Sequence, residues 1–350
     1  MAIIEKKKIP YPISACLRAY LRNQEREKQI QITYEDLVRY ESSFTLYDRH
    51  GKDSLWETAL YPASESQQIH QALKEVYSLL KAGGDLSVIE HLFVERIDVC
   101  IYGNTRPFRI RIVNRINDNF DYFYLKHADA SRIYGLELEH ILSPNHINYQ
   151  VFGKTLVEEH IAGIPGDQFI EYHMKGPDIN EIRLAKEFVK FNERTFVRLL
   201  GDMHSSNYVI DITPDFEETH YRIRAIDFDQ QSFEGRRTVY MPQYFKQNNP
   251  IIELGIKLMT PETVRQYQRE EQSLIASRIT SSRYRLKDLL DCMTQDTLSK
   301  AQNIKNLKIE MADYYTDDRF LQCTNMGEIV KTSLRMLLEK VKQKGYKRFC

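Results

Sequence analysis

The chain has 350 residues, 49 Lys and Arg against 49 Asp and Glu, 42% hydrophobic and 11% aromatic content. That apolar content excludes a wholly disordered chain, and the length has room for two lobes and a helical extension. The zero net charge excludes a global field that would draw the protein to nucleic acid or an anionic membrane, so neither is expected as a partner.

The first ninety residues read as helical. Pro12 suits a first helical turn, and Ile13, Cys16, Leu17, Tyr20 and Leu21 follow on one stripe. Ser64 and Gln67 form a capping-box pattern before Ile69, Leu73, Val76, Tyr77 and Leu80, and Gly83-Gly84 should end that helix. Trp56, the single tryptophan, reads as a packing anchor for these helices. From about residue 92 the period becomes two. Ile97, Val99 and Ile101 alternate with polar neighbours, as do Phe108, Ile110 and Ile112, and a third strand runs from Tyr122 to Lys126. Short links between them predict an antiparallel meander. A helix from Ala130 to Leu142 comes next, then strands Ile147 to Phe152 and Thr155 to His160, broken off by Ala162-Gly163-Ile164-Pro165-Gly166.

Helices dominate afterwards. Ile182, Ala185, Phe188 and Val189 define one, and Ile329, Val330, Leu334, Leu337, Leu338 and Val341 another. Phe196 to Leu200 reads as a buried strand-like run. Tyr208-Val209-Ile210 and Tyr221 to Ile226 read as a hairpin that turns at Thr213-Pro214-Asp215. The expected organisation is a helical extension over 1–91, a small-sheet region over 92–162 and a mostly helical region over 163–350.

The chemistry gathers around that hairpin. Gly201-Asp202-Met203-His204-Ser205-Ser206-Asn207 precedes it and Ile226-Asp227-Phe228-Asp229 ends it. One carboxylate to orient an accepting hydroxyl, an amide five positions on and a second carboxylate at the next strand end are what magnesium-dependent phosphoryl transfer needs. The spacing of Asp202 and Asn207 alone is a weak signal; the strands on either side are what should bring Asp202, Asn207 and Asp227 to one edge.

These two motifs resemble, position for position, those of the kinase-like phosphotransferases, especially the aminoglycoside and choline kinase branch. Their hallmark is a Gly-Asp-x-His-x-x-Asn loop followed by Ile-Asp-Phe-Asp or a close variant. The resemblance covers about residues 92 to 260. It implies an α+β, two-lobed protein-kinase-like fold with a small antiparallel-sheet lobe and a helical lobe. It also implies ATP and Mg2+ as cofactors, Asp202 as catalytic carboxylate, and Asn207 and Asp227 as metal ligands. One departure is Leu200, where the family usually has a bracing His.

The resemblance extends upstream. Lys126 ends the third strand, where such a lobe places the lysine that grips the α- and β-phosphates. Its carboxylate partner belongs on the following helix, where both Glu137 and Glu139 qualify. Thr155 to Gly163 resembles the hinge between lobes, with adenine expected on an exposed strand edge through backbone groups near Glu159 to Ile161. The phosphate-covering loop would be Gly103-Asn104-Thr105-Arg106-Pro107; it holds one glycine, and Thr105 and Arg106 are its candidate phosphate contacts. Asp229 is a candidate helper to the metal. Arg236, Arg237 and Lys246 lie in a polar loop where the acceptor site would be shaped. His204 reads as a residue that fixes its loop, and the other histidines do not form a metal-ligand spacing.

The five cysteines at 16, 100, 292, 323 and 350 are scattered and odd in number, so reduced thiols are expected. Met1 to Lys8 lacks a signal-peptide core, and no apolar run approaches a membrane span. The expected protein is therefore a cytoplasmic ATP- and Mg2+-dependent phosphotransferase acting on a small-molecule or protein hydroxyl. The alternative is a catalytically impaired, nucleotide-binding regulatory protein on the same fold, motivated by Leu200 and the glycine-poor loop. Neither the acceptor nor the oligomeric state is written in the sequence.

Overall fold

Alternating apolar residues build an antiparallel sheet of seven strands. They are β1 (Ser42–Tyr47), β2 (Asp53–Leu60), β3 (Leu92–Cys100), β4 (Phe108–Asn114), β5 (Phe120–His127), β6 (Tyr149–Phe152) and β7 (Thr155–Glu159). Their spatial order is β1-β2-β3-β4-β5-β7-β6. The computed structural model describes residues 8–48, 51–102, 105–177, 179–215 and 219–346. Its chain divides into two units, the first comprising the residues up to Asp129 together with Ile147–His160.

In this first unit the expected meander forms, with Ile97 opposite Ile110 and Ile110 opposite Phe123. One sheet face packs against α3 (Ala63–Ala82), where Ile97, Val99, Ile110, Phe123 and Leu125 share a buried cluster with Leu73, Val76 and Leu80. Each such side chain contributes about 1.5–3 kcal/mol on leaving water. Two shorter helices, α1 (Ala15–Asn23) and α2 (Tyr34–Leu37), precede it. Gly83 at φ +62° ends α3 as expected, but the Ser64–Gln67 capping box does not form. The helix cap falls two residues earlier, at Pro62, whose ring has no oxygen to cap with.

Residues 1–91 are not purely helical. Their β1–β2 hairpin joins the sheet through Trp56, Glu57 and Thr58 opposite Cys100, Val99 and Asp98. The hairpin escaped the apolar pattern because β1 is an edge strand on which Phe44 and Tyr47 stay exposed. Trp56 anchors strands, not helices: the Arg109 guanidinium lies 4.2 Å from its ring centroid. The fully buried Asp98 carboxylate holds this region together, accepting from Thr58, Arg96 and Arg109.

The second unit comprises Ala130–His146 and the residues from Ile161 onward. It begins with α4 (Ala130–Leu142), where the sequence places it. Next come β8 (Ile164–Pro165), α5 (Gly166–Gln168), α6 (Glu181–Val197), β9 (Tyr208–Pro214) and β10 (Thr219–Ala225). The helices α7 (Asn249–Leu258), α8 (Pro261–Ser281), α9 (Arg283–Met293), α10 (Ala301–Tyr315) and α11 (Met326–Tyr346) complete it. Strands β10, β9 and β8 form a small antiparallel sheet, and β9–β10 is the expected hairpin, except that Thr213 and Pro214 pair with His220 and Thr219 inside the ladder, so the chain turns after them and not at Thr213-Pro214-Asp215. Phe196 and Val197 belong to the end of α6, not to a strand. The strand-like run begins as the end of an amphipathic helix whose Asn180 cap accepts from Arg183 N–H, and Arg198 closes that helix before Leu199 and Leu200.

Buried charge ties α4, α6 and α8 together. Arg198, 1% exposed, pairs with Glu139, while Arg194 reaches Glu187 at 2.5 Å and Glu271 at 3.5 Å. Burial pushes the Glu139 carboxyl up, but the Arg198 guanidinium and hydrogen bonds from Ser143 and Asn145 outweigh it and hold the group below its ordinary range. The expectation of reduced thiols holds for Cys100 and Cys323, whose sulfurs are thiols, and fails for Cys16 and Cys292, which are disulfide-bonded. The cysteines therefore no longer argue for a reducing compartment; Cys350 lies outside the described residues. Among those residues no helix is long and apolar enough to cross a membrane.

Arg198→Met leaves Glu139 as a buried carboxylate without its guanidinium and should destabilise the protein by about 3–5 kcal/mol. Adding Glu139→Gln should restore part of that loss. Urea denaturation of the two single variants and the double variant checks this, and simple additivity would refute the coupling.

Candidate functional site

After α6 the chain turns sharply into the Asp202 loop. Leu199 and Asp202 both adopt positive φ, +59° and +62°. Asp tolerates that region and a buried Leu does not, so strain of about 1–3 kcal/mol is stored at Leu199. Backbone hydrogen bonds strap this segment to the stretch after Asp227. Ser232 N–H donates to Leu199 O at 2.8 Å, Gly201 N–H to Gln230 O at 3.2 Å and Asp202 N–H to Val239 O at 3.0 Å. Leu200 is fully buried and bridges to Gln231. An apolar side chain thus occupies the place of the expected His.

Within the loop, Asn207 Nδ2 donates to Asp202 O at 2.8 Å, leaving the amide oxygen as its remaining acceptor. Ile226 N–H donates to Asn207 O at 3.0 Å, so the end of β10 is registered on the same loop. His204 Nδ1 accepts from Ser206 N–H at 3.3 Å, which assigns the ring proton to Nε2. Burial lowers the His204 pKa, partly offset by the Asp227 and Asp167 carboxylates. The ring is therefore neutral near pH 7 and fixes the loop; its Nε2 lies 4.0 Å from Asp202 Oδ1, beyond hydrogen-bond range.

Arg132 of α4, its side chain 3% exposed, places Nη1 2.7 Å from Asp227 Oδ1 and 2.6 Å from Asp229 Oδ1. Asp229 N–H also donates to Asp227 Oδ1, at 3.1 Å. Gly135, one turn on, permits this approach: a Cβ there would lie 3.0 Å from Phe228 Cβ. The Asp202 pKa is raised from 3.8 to about 7, by burial first and then by the charges of Asp227, Glu234 and Asp229. The second unit thus brings together Asp202, Asn207, Asp227 and Asp229.

This oxygen-rich set suits a hard cation. Magnesium is commonly held by one or two protein carboxylates, with waters and phosphates completing the shell. The charge crowding that raises Asp202 is what a divalent cation would relieve, and the Asp227 side chain is 37% exposed. Among the described residues no group of three or more His, Cys, Asp or Glu could hold a metal, so a cation here would rest on the carboxylate-plus-amide pair.

The other expected residues have partners of their own. Lys126 pairs with Glu158 on the neighbouring β7, Nζ to Oε2 at 2.7 Å. Glu139 pairs with Arg198, and Glu137 takes a two-pronged contact from Arg285. The sequence reading sought the lysine's partner on the helix and missed the carboxylate one strand away. The hinge expectation also changes, because β7 is an interior strand between β5 and β6. Glu159 N–H donates to Asn148 O and His160 N–H to Tyr122 O, so these two groups are not open to adenine. Glu159 Oε1 accepts from Asn148 N–H, and Ile161 is buried in the second unit.

Gly103 and Asn104 lie outside the described residues. The Thr105 and Arg106 carbonyls both accept from the Tyr34 hydroxyl at 3.1 Å, and Arg106 is exposed at φ +44°. In the polar loop the Arg237 guanidinium lies over the Tyr314 ring while Arg236 and Lys246 are exposed. Sequence reasoning missed Arg132 and Glu234. Neither carries a local signal that ties it to Asp202 or Asp227.

No family model matches the chain, and no curated protein matches it. A solved structure of titin kinase and its flanking domains is similar over 73% of this chain and 49% of its own, at 12% identity and a TM-score of 0.26. The chain spans about half the length of that structure.

The folded protein holds a proton on Asp202 that the unfolded chain releases between the ordinary carboxylate pKa and about 7. Stability contributed at this position therefore falls as pH rises through that window. Asp202→Asn keeps a residue tolerant of positive φ and removes the charge, so its denaturation midpoint should exceed the parent's above pH 7. The gain is about 1 kcal/mol after allowance for partial exposure. An identical pH dependence for both proteins would refute the raised pKa.

Proposed function

We propose that this protein is a kinase-like phosphotransferase that moves the γ-phosphoryl group of ATP to a hydroxyl of a small molecule or protein. The sheet-bearing unit would serve as the small lobe and the helical unit as the large one. The observation that carries this reading is the joining of Asp202, Asn207, Asp227 and Asp229 around one strapped loop, with Asp202 titrating near neutrality.

Transfer of this kind is mostly positioning and charge neutralisation, so it needs few side chains and accurate placement. Burial, the larger cause of the raised Asp202 pKa, would persist with magnesium bound and keep the carboxyl above its ordinary range, a better match for taking a proton from a hydroxyl at neutral pH. Asp202 would orient the acceptor hydroxyl and receive its proton. Asn207 and Asp227 would hold magnesium, which when bound supplies positive charge to the phosphate oxygens. His204 would keep the loop closed between Asp202 and Asn207 without moving a proton. Lys126 keeps its assignment as a phosphate contact, with Glu158 as the group that orients it.

One observation favours a second, regulatory reading. Arg132 already neutralises Asp227, and Glu158 already neutralises Lys126, so the groups assigned to metal and phosphate are satisfied by the protein itself.

ATP labelled on the γ- or the α-phosphate, supplied with magnesium and a panel of hydroxyl acceptors, separates the readings. The phosphotransferase reading expects γ-label on an acceptor, and a loss of about a thousandfold or more in a folded Asp202→Asn variant. Binding without turnover supports the regulatory reading, and transfer of the α-label would mean that a nucleotide moves instead. Substantial γ-transfer by Asp202→Asn would overturn the assignment of the base.

A further inference from the structure

A cavity of about 440 Å³ opens between α6, α7 and α8, within the range of small-molecule sites. Phe188, Phe196, Ile251 and Met259 contribute apolar wall, and none of Asp202, Asn207 and Asp227 lines it. Two features of this cavity have no part in the chemistry above.

The first is Glu193, which lines the cavity and is 8% exposed. The neighbouring carboxylates Glu271 and Glu139, both buried, and the half-buried Glu187 each face an arginine. Glu193 has amide partners instead, with Gln272 Nε2 donating to Oε2 at 2.8 Å, and no ion pair among the described residues. Burial raises its pKa, with Gln272 and Lys340 partly offsetting and Glu271 adding to the shift. A carboxylate on an apolar wall is unfavourable unless a cation or further donors reach it.

The second is Gly255, inside α7 and on the cavity wall. A glycine there costs about 1 kcal/mol of helix stability relative to alanine. Packing does not require it: an added Cβ would meet only Met259 Cε, at an ordinary 3.4 Å, and φ is not positive. Its missing side chain leaves the space open.

We propose that this cavity is a ligand site, separate from the phosphotransfer centre, for an amphiphile with an apolar body and a single cationic ammonium head that pairs with Glu193. The walls supply non-directional burial and the carboxylate supplies the selectivity. The ligand class follows from one buried acid on an apolar surface, and an anionic amphiphile is excluded by the same charge.

Calorimetric titration of the full chain with n-octylamine, n-octanol and n-octanoate tests this. The amine should bind about tenfold more tightly than the alcohol, and the octanoate should not bind. Glu193→Gln should erase the advantage of the amine while retaining the alcohol. Gly255→Leu, which fills the space and favours the helix, should abolish binding of both with a melting temperature at or above the parent's. Equal binding of amine and alcohol to the parent, no binding of either, or undiminished binding to Gly255→Leu would each overturn the proposal. If Glu193→Gln does not fold, the parent's amine-to-alcohol ratio and the Gly255→Leu result still decide.

Discussion

Gathering carboxylates in one loop region is unfavourable unless a cation sits among them, and Arg132 is that cation. Its guanidinium spans Asp227 and Asp229 from a helix that begins two residues earlier, and it is withdrawn from water. A pair of this kind stabilises only when the geometry is good and the remaining lone pairs are satisfied. Here the Asp229 N–H supplies a further donor to the same Asp227 oxygen. Asp202 receives no such cation among the described residues, and burial, with the charges of Asp227, Glu234 and Asp229 added, raises its pKa.

The rest of the second unit holds this arrangement still. The close contact at Gly135 sets α4 against the Phe228 segment, and the backbone straps from Leu199, Gly201 and Asp202 close the loop onto the same segment. The buried Glu139–Arg198 pair and the Arg194 network connect α4, α6 and α8 beneath it. Rigid elements below and a strained, polar loop above are a division of labour expected where side chains must be placed accurately.

The parts of this architecture that a period of two or 3.6 announces were legible in the sequence. The meander from β3 to β5, helix α4 and the β9–β10 hairpin all follow from apolar spacing and turn residues. Other parts depend on tertiary context. The β1–β2 hairpin leaves large apolar side chains on its open edge and so shows no half-buried pattern. The end of α6 looks like a strand because four of the five residues from Phe196 to Leu200 are large and apolar and the fifth, Arg198, is buried with them. That Lys126 faces Glu158 is a matter of strand register, and that β7 is interior follows from β6 folding back outside it. Arg132 lies 95 residues before Asp227 in the chain, a separation that no local pattern bridges. The site's acidic and amide members were legible because the loop and hairpin are continuous in sequence; its cation was not.

The central claim, that Asp227 and Asn207 bind a divalent ion together with a nucleotide, has a direct test. Calorimetric titration with ATP, in the presence and absence of Mn2+, should give metal-dependent binding that weakens by about tenfold or more in Asp227→Asn. Equal affinity with and without metal, or an Asp227→Asn variant that binds as the parent does, would contradict it.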